Sequence, residues 1–396
     1  MFLTGLIDPM GAGMLDRIIR LDPGEIMGFL RVFLAVAVVA GHSGPLFGIP
    51  LVSGRTAVQC FFVISGFYMA MVLESKYLKL PDKVWATFMQ SRLARLFPVY
   101  LLTAALTMGL LLLGGNIFVG DDPQRLPEFF SLPLATWLPM ALSNLIIVTQ
   151  DWALFAGVDS GGQLFYTPDF RSVDVPAYKY FLIPQAWTVG LELVFYASAP
   201  FIARCCNRTL FALMAGSIGL RIGLGFAGMS ADPWSYRFFP FELSLFIAGM
   251  LAFRYRHSLV GKLPTSVPLV LVFVGLLLLP LGRAVPPAYA VALVVFPLVF
   301  ALFVPAIFES TKQSAVDRWV GELSYPVYLV HILMISVFAS VGLPLGGPAA
   351  VVLSLTAGAV VVVLVDRPLE YARQRRLRTV LARGVSPRRE VQRARA

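Results

Sequence analysis

The chain has 396 residues, of which 58% are hydrophobic and only 14% are charged, and its mean hydropathy is +0.78. This composition excludes an ordinary soluble globular domain. The net charge of +10 would favour nucleic-acid binding in a soluble protein, but here we assign it to loops that orient membrane helices, and we expect no nucleic-acid partner. The three cysteines follow no disulfide or zinc-site spacing, and we expect no metal site.

Apolar runs recur along the whole chain and predict an all-α polytopic integral membrane protein with about ten transmembrane helices. We predict a cytoplasmic N-terminal segment (1–25), a transmembrane domain (26–370) and a basic cytoplasmic tail (371–396). A further apolar run, 134–149, is predicted to be a short re-entrant or interfacial helix. The predicted spans are 26–44, 56–73, 97–114, 186–204, 209–228, 238–254, 267–283, 288–307, 323–341 and 348–365.

The distribution of lysine and arginine predicts the orientation of these spans. With the N-terminus inside, the cytoplasmic segments hold 24 of the 32 cations, six lie outside and two lie within spans. This split follows the positive-inside rule only if 134–149 does not cross the membrane. We therefore predict that both termini are cytoplasmic and that 115–185 lies outside. The six outer cations are Arg55, Arg125, Arg171, Lys179, Arg237 and Arg283.

The first predicted span carries an arginine and a histidine within EIMGFLRVFLAVAVVAGHSGP (25–45). Arg31 and His42 are eleven residues apart, which places them on one helix face about 16 Å apart along the axis. A charged side chain inside a span must face protein or water rather than lipid, which favours a functional role. The alternative is structural: an arginine near a helix end can snorkel, and His42 lies where this helix should stop.

Two short polar motifs follow in the second and third spans. Ser65 and Gly66 interrupt a Phe-rich run, and such a small pair ordinarily permits close helix approach. Arg92 and Arg95 lie one helical turn apart at the cytoplasmic entrance of the third span. They either follow the positive-inside rule or form a clamp that binds phosphate bidentately.

Polar residues also lie inside the fourth and ninth spans. Glu192 is seven residues inside the fourth span, with Thr188 and Tyr196 on the same helix face. An intramembrane carboxylate predicts function, and its natural partners are the charged groups of the first span. The ninth span places Tyr328 and His331 one turn apart. This set of His, Arg, Glu and Tyr favours acid–base or acyl-transfer chemistry over metal catalysis.

Six segments along the chain carry a family resemblance. They are FLRVFLAVAVVAGHS with Arg31 and His42, VQCFFVISGFYM (58–69), RLARLFPVY (92–100), AWTVGLELVFY (186–196), LSYPVYLVHI (323–332) and DRPLE (366–370). Over about residues 25–370 the chain resembles the acyltransferase 3 family of membrane-bound O-acyltransferases, which modify bacterial surface carbohydrates. There are two departures. The usual Gly-Val-Asp before the double Phe has Gln59 in place of the acid, and Thr188 replaces the serine of Trp-Ser-Leu-x-x-Glu.

The resemblance implies transfer of a short acyl group, typically acetyl, from cytoplasmic acyl-CoA to a glycan hydroxyl. The acceptor would be a cell-surface or lipid-linked polysaccharide or oligosaccharide. Acyl-CoA would be a donor substrate, and no permanently bound cofactor is expected. The protein would then be integral to the bacterial cytoplasmic (inner) membrane, in contact with membrane lipids.

Specific roles follow for the polar residues under this resemblance. His42 would act as general base or as a transient acyl carrier. Arg31 would stabilise negative charge on the thioester oxygen or on donor phosphate, and Glu192 would orient the imidazole of His42. Arg92 and Arg95 would hold the CoA phosphates. Further site candidates are Ser65, Trp187, Tyr328 and His331.

Two other classes of function share some of these features. A membrane transporter that exports a glycan or a small anion would also carry intramembrane Arg, Glu and His, but it would often show inverted repeats and broken helices, which the sequence lacks. A structural partner in glycan export would not need His42. Acyl-CoA hydrolysis or CoA binding by the purified protein separates the enzyme from a transporter, and replacement of His42 separates it from a structural partner.

Overall fold

A computed structural model of the chain describes residues 27–80, 82–119, 122–123, 126–148, 150–260, 266–372 and 375. The predicted N-terminal segment 1–25 and most of the predicted tail 371–396 lie outside these residues. The α-helices are α1 (Gly28–Ser43), α2 (Gly54–Ser75), α3 (Val84–Leu112), α4 (Leu134–Ile146), α5 (Trp187–Ile202), α6 (Asn207–Phe226), α7 (Trp234–Arg237), α8 (Phe239–Arg254), α9 (Arg256–Leu259), α10 (Ser266–Leu278), α11 (Pro286–Thr311), α12 (Ala315–Glu322), α13 (Ser324–Ser340) and α14 (Gly347–Val361).

The remaining regular structure consists of short turns and two hairpins. Strands β1 (Phe118–Val119) and β2 (Asp122–Pro123) pair antiparallel, as do β3 (Ala156–Val158) and β4 (Leu164–Tyr166). A π-helical turn, Val362–Asp366, continues α14. The 3₁₀ turns are Tyr77–Lys79, Leu126–Ser131, Gln150–Phe155, Phe170–Ser172, Ala177–Tyr180, Pro184–Ala186 and Leu279–Ala284.

The helices confirm the predicted all-α membrane class. Among the described residues, seven helical segments are long and apolar enough to cross a membrane. The other three predicted spans correspond to α1, α5 and α10, which have 16, 16 and 13 residues. At about 1.5 Å per residue these are shorter than a hydrocarbon core of about 30 Å. The number of crossings therefore stays a prediction.

Helix α2 is the central helix of the bundle and is buried along most of its length. It packs against α8 through two reciprocal glycines. A Cβ on Gly66 would lie 1.9 Å from the carbonyl oxygen of Phe246, and a Cβ on Gly249 would lie 2.0 Å from that of Val63. Any side chain would push the backbones apart, which confirms that Ser65-Gly66 permits close helix approach.

Helix α1 is positioned at its N-terminus by a residue 289 positions away. Both carboxylate oxygens of the buried Asp317, at the start of α12, accept hydrogen bonds from the backbone N–H groups of Gly28 (2.8 Å) and Phe29 (3.0 Å). These two N–H groups have no partner within the helix, so the carboxylate acts as an external cap. The contact fixes the height of α1, and therefore of Arg31 and His42, in the bundle.

Helix α3 begins at Val84, 13 residues before the predicted third span. Pro98 lies inside this helix and does not start it. Arg92 and Arg95 are therefore on a continuous helix wall, where Arg92 is only 5% exposed. Arg92 is thus a buried residue of the bundle, and the position of the pair at the cytoplasmic entrance of the span stays a prediction.

Residues 126–148 and 150–186 form a cap over one end of the bundle, with a small hydrophobic cluster of their own around Met140, Tyr180 and Phe181. Helix α4 of the cap exposes Leu134, Leu138, Leu142 and Leu145 on one face and buries Thr136, Met140 and Ser143 on the other. With 13 residues it is about 20 Å long, too short to cross a bilayer alone. This amphipathic helix fits the predicted interfacial element.

Candidate active site

Two chambers lie end to end inside the bundle. The bundle chamber has a volume of about 120 Å³, and its polar lining consists mainly of Arg31, Ser65, Arg92, Arg95, Glu192 and Tyr196. The cap chamber has a volume of about 400 Å³ and lies under the cap. Its polar and aromatic lining includes His42, Arg55, Arg171, Gln185, Trp187 and Arg237.

The same four helices, α1, α2, α5 and α13, contribute to both chambers, which share Val58 and Tyr328 as lining residues. Tyr328 is held at this boundary by hydrogen bonds. Its hydroxyl donates to the carbonyl oxygen of Gln185 (2.9 Å) and lies 2.8 Å from the hydroxyl of Thr188. A single layer of residues therefore separates the two chambers. Along α1, Arg31 lies on the bundle-chamber side of this layer and His42 on the cap-chamber side.

The histidines of α1 and α13, His42 and His331, are in direct contact. His331 Nε2 lies 3.2 Å from His42 Nδ1, and the ring centroids are 5.1 Å apart. His331 Nδ1 lies 2.7 Å from the carbonyl oxygen of Tyr328, and His42 Nδ1 lies 3.1 Å from that of Val38. His331 is fully buried, whereas His42 is partly exposed in the wall of the cap chamber.

These contacts assign the tautomers of both neutral rings. A carbonyl oxygen only accepts, so His331 Nδ1 carries its proton and His331 Nε2 is left as an acceptor. His42 Nδ1 must then be the donor, towards His331 and Val38. The lone pair of His42 is consequently on Nε2, the nitrogen left for a reactant in the cap chamber.

Glu192 lies in the bundle chamber and not beside His42. Its carboxylate accepts a hydrogen bond from Tyr196 (3.1 Å), whose hydroxyl also lies 3.2 Å from that of Ser65. Thr188, one turn earlier on α5, already meets Tyr328 at the boundary, so Glu192 falls on the far side. The side chain that contacts His42 Nδ1 is His331. It therefore holds the imidazole of His42 in the way that was expected of Glu192.

Arg31, Arg92 and Arg95 all face the bundle chamber, which joins the first-span arginine to the RLARLF motif. The guanidinium of Arg92 lies 5.7 Å from the ring centroid of Phe88. Its Nε is buried and has no hydrogen-bond partner among the described residues. A buried donor without a partner is costly in a stable fold and is a common feature of a site that awaits an anion.

The sequence analysis did not predict the arginines of the cap chamber as site residues. Arg237 donates to Asp232 through Nε (2.7 Å) and Nη2 (3.3 Å), and Arg171 donates to the same carboxylate (2.8 Å). Trp187, a predicted candidate, lies under the Arg237 guanidinium with 4.6 Å to its ring centroid. A sequence signal was present, since Arg55, Arg171 and Arg237 are three of only six cations in the predicted outer segments.

Comparison with known proteins shows the family of the chain. The profile described as an acyltransferase domain, that of the acyltransferase 3 family, matches residues 26–365. The chain belongs to the acyltransferase 3 family. The family match covers both histidines and five of the six segments, all but DRPLE (366–370), and confirms the family resemblance.

The acyltransferase 3 chain is also similar to a curated viral protein, "Putative acetyltransferase ORF330" of Acidianus two-tailed virus. The two are 29% identical over 168 residues, which is 40% of this chain and 51% of the viral protein. The chain thus spans about half the length of the curated relative it matches. No solved structure matches the chain.

Proposed function

We propose that this acyltransferase 3 protein transfers a short acyl group, typically acetyl, from cytoplasmic acyl-CoA to a hydroxyl of a cell-surface or lipid-linked glycan. The observation that carries the proposal is the contact between His331 Nε2 and His42 Nδ1 at the junction of the two chambers. It leaves one imidazole with a free Nε2, accessible from a cavity large enough for a sugar ring.

The donor enters through the bundle chamber in this proposal. Arg92 and Arg95 bind the CoA phosphates, which prefer bidentate, charge-assisted contacts. The narrow chamber then holds the pantetheine arm, whose reach is comparable to the rise of about 16 Å from Arg31 to His42. At that distance Arg31 contacts the donor arm or its phosphates rather than the thioester oxygen.

Transfer takes place at His42 in one exchange. Nε2 removes the proton from the acceptor hydroxyl as its oxygen attacks the thioester carbon. The tetrahedral intermediate collapses, the C–S bond breaks and the CoA thiolate takes the proton from the imidazolium. The products are an O-acyl ester and CoA thiol. His331 holds the ring of His42 and stabilises the imidazolium through its Nε2 lone pair.

The proposal also sets the orientation in the membrane. Ten crossings with both termini cytoplasmic place the bundle chamber towards the cytoplasmic acyl-CoA and the cap outside the inner membrane. The supporting observation is the 24-to-6 distribution of cations.

An impermeant maleimide on intact cells tests this orientation. Gly161 is exposed in the cap, and a cysteine there should be labelled from outside. Cys206, which is exposed in the predicted inner segment before α6, is the internal control and should react only after lysis. Labelling of Gly161→Cys only after lysis would disprove the ten-span arrangement.

The catalytic activity is tested with the full-length protein in detergent and radiolabelled acetyl-CoA. The enzyme should bind acetyl-CoA and, in the absence of an acceptor, hydrolyse it slowly to acetate and CoA. A transporter or a structural partner should do neither. Mass spectrometry of surface glycans from cells with and without the gene then identifies the acylated hydroxyl. A purified, folded protein that neither binds nor turns over acyl-CoA would exclude the proposal.

A further inference from the structure

We propose that the cap chamber recognises an acceptor sugar that carries its own negative charge, a carboxylate or a phosphate, through Arg55, Arg171 and Arg237. This rests on the proposed function, because it takes the cap chamber as the acceptor site. Three arginines line the chamber, and its described lining contains no aspartate or glutamate. A neutral sugar would leave about two of these three positive charges without a counter-charge, because among the described residues the chamber wall supplies only Asp232.

The charges around the chamber do not balance. Asp232 is shared by Arg171 and Arg237, so these three groups carry one net positive charge. Arg55 adds a second: its Nη2 donates to the backbone carbonyl of Ser235 (3.0 Å), and its Nε is buried with no hydrogen-bond partner among the described residues.

The nearby Glu242 does not supply the missing charge. It forms an ion pair with Arg221 and accepts two hydrogen bonds from the Gln59 amide, at 3.2 and 3.1 Å. Its carboxylate is thus matched by groups behind the chamber wall, and it is not among the lining residues. About two positive charges therefore remain for a ligand.

Arg237 is held rigidly for such a ligand. Its guanidinium lies 4.6 Å from the ring centroids of Trp187 and Tyr236 and 5.5 Å from that of Phe170. Asp232 occupies its Nε and one Nη. Nη1 accordingly has no hydrogen bond among the described residues. A fixed guanidinium loses little conformational entropy on binding, which increases selectivity for an anion.

The position of these charges suits an acceptor. His42, Arg55 and Arg237 line the same cavity, whose volume of about 400 Å³ lies in the range of small-molecule sites, roughly 300–1,000 Å³. A sugar ring can then place its anionic group on the arginines and a hydroxyl on His42 Nε2. A charge pair with the largely buried Arg237 is stronger than in bulk water, whereas solvent screens one with the exposed Arg171.

The binding test uses three methyl glycosides that differ only at carbon 6: methyl glucoside, methyl glucuronide and methyl glucoside 6-phosphate. Calorimetry on the full-length protein in lipid nanodiscs gives their dissociation constants. We expect at least one anionic glycoside to bind roughly tenfold or more tightly than the neutral one, with an advantage that falls as salt is raised. The preferred anion identifies the source of the charge, carboxylate or phosphate.

Charge-removing variants then locate the site. Arg55→Gln and Arg171→Gln should each reduce the preference for the anion, and Arg237→Lys, which keeps the charge but loses the fork, should reduce it in a protein that still folds. Arg208→Gln, an exposed arginine outside both chambers, is the matched control and should change nothing.

Failure of this inference differs from failure of the proposed function. Acetyl-CoA hydrolysis is measured on the same samples without any sugar. Wild-type protein that hydrolyses acetyl-CoA but binds all three glycosides equally overturns the anionic acceptor and leaves the acyltransferase intact. An anion preference that survives in all three cap-chamber variants also overturns it. Absence of donor binding and hydrolysis would instead contradict the proposed function.

Discussion

The bundle chamber and the cap chamber are each lined by three arginines, but they differ in what balances those charges. Glu192 faces Arg31, Arg92 and Arg95 within the bundle chamber. The described lining of the cap chamber holds no carboxylate, and Asp232 lies behind it. The bundle chamber is also less than a third as large. Each chamber thus keeps about two positive charges, so the difference lies in width and in where the carboxylate sits. The narrow chamber suits a thin donor arm that ends in phosphates, whereas the wide one, whose described lining has no carboxylate, suits a ring that brings its own negative charge.

The largest expected effect is the loss of the base between the chambers. His42→Ala should slow single-turnover acyl transfer by about 10²–10⁴-fold, because it removes the base that faces the cap chamber and His331 is fully buried behind it. CoA binding in the bundle chamber should be unchanged. The measurement is acid-quenched transfer from radiolabelled acetyl-CoA.

The chain offers a matched control for this variant. His257 is exposed in α9, away from both chambers, and His257→Ala should leave the rate unchanged. If His42→Ala transfers at a rate near wild type, the histidine is structural. Radioactive label retained on wild-type protein after the quench would indicate an acyl-histidine and contradict the direct exchange.

A smaller effect is expected from His331, which touches no reactant and acts as a positioning residue. His331→Leu should lower kcat by roughly 10–100-fold with the KM for acetyl-CoA unchanged, because His42 loses the acceptor that fixes its tautomer. His331→Gln keeps an amide acceptor and should recover part of the rate. Equal losses in both variants, together with equal losses in Tm, would mean that His331 only fills space.

A still smaller effect is expected on ligand binding, and it tests directly whether the two chambers bind different ligands. Arg92→Gln should weaken CoA binding about tenfold, more at low ionic strength, because it removes charge-assisted contacts to phosphate. It should leave glycoside binding unchanged, and Arg55→Gln should show the reverse pattern. The measurement is the dissociation constant of each variant for CoA and for the glycoside. A variant that weakens the binding of both ligands equally would show that the two chambers act as one site.

The smallest effect is one on stability, and it comes from Asp151, a residue of the cap that lies outside the cap chamber. Burial raises the pKa of Asp151 from 3.8 to about 6, and Oδ1 has no hydrogen-bond partner among the described residues. Because the folded pKa is raised, the folded state binds the proton more tightly, and stability is lost as pH rises from about 4 to about 6. Asp151→Asn should therefore stabilise the protein at pH 8 by at most about 3 kcal/mol.

The check on Asp151 is the Tm at two pH values. At pH 8 the Asn variant should melt a few degrees above wild type, and near pH 4 the two should coincide. Acetyl transfer at pH 8 should be unchanged, since the residue lies outside both chambers. An equal rise in Tm at both pH values would show that charge is not the cause.

Much of this site was visible in the sequence. The apolar runs predicted the membrane class, and the eleven-residue spacing placed Arg31 and His42 along one route through the bundle, because helical periodicity is a local property. Glu192 was predicted to be an intramembrane carboxylate, and the structure places it in the lining of the bundle chamber. Its neighbour was not predictable, since the height of one helix against another depends on packing.

Contacts between distant segments required the tertiary structure. His42 and His331 are 289 residues apart, and only the packing of α13 against α1 brings their rings together. Arg55, Arg171 and Arg237 come from three separate segments, and each alone resembles an ordinary loop cation. Asp317 sets the height of α1 through two backbone N–H groups that no local pattern assigns to it.

The sequence by itself therefore determined the membrane class, the family and the residue types available for chemistry. These follow from hydropathy and helical periodicity, which act over one or two turns. The tertiary structure decided which of these residues share a chamber, which nitrogen of His42 is free and where positive charge remains unbalanced. Such properties arise from side chains on different helices, and their positions depend on close contacts such as Gly66 against Phe246 that hold the helices at one height.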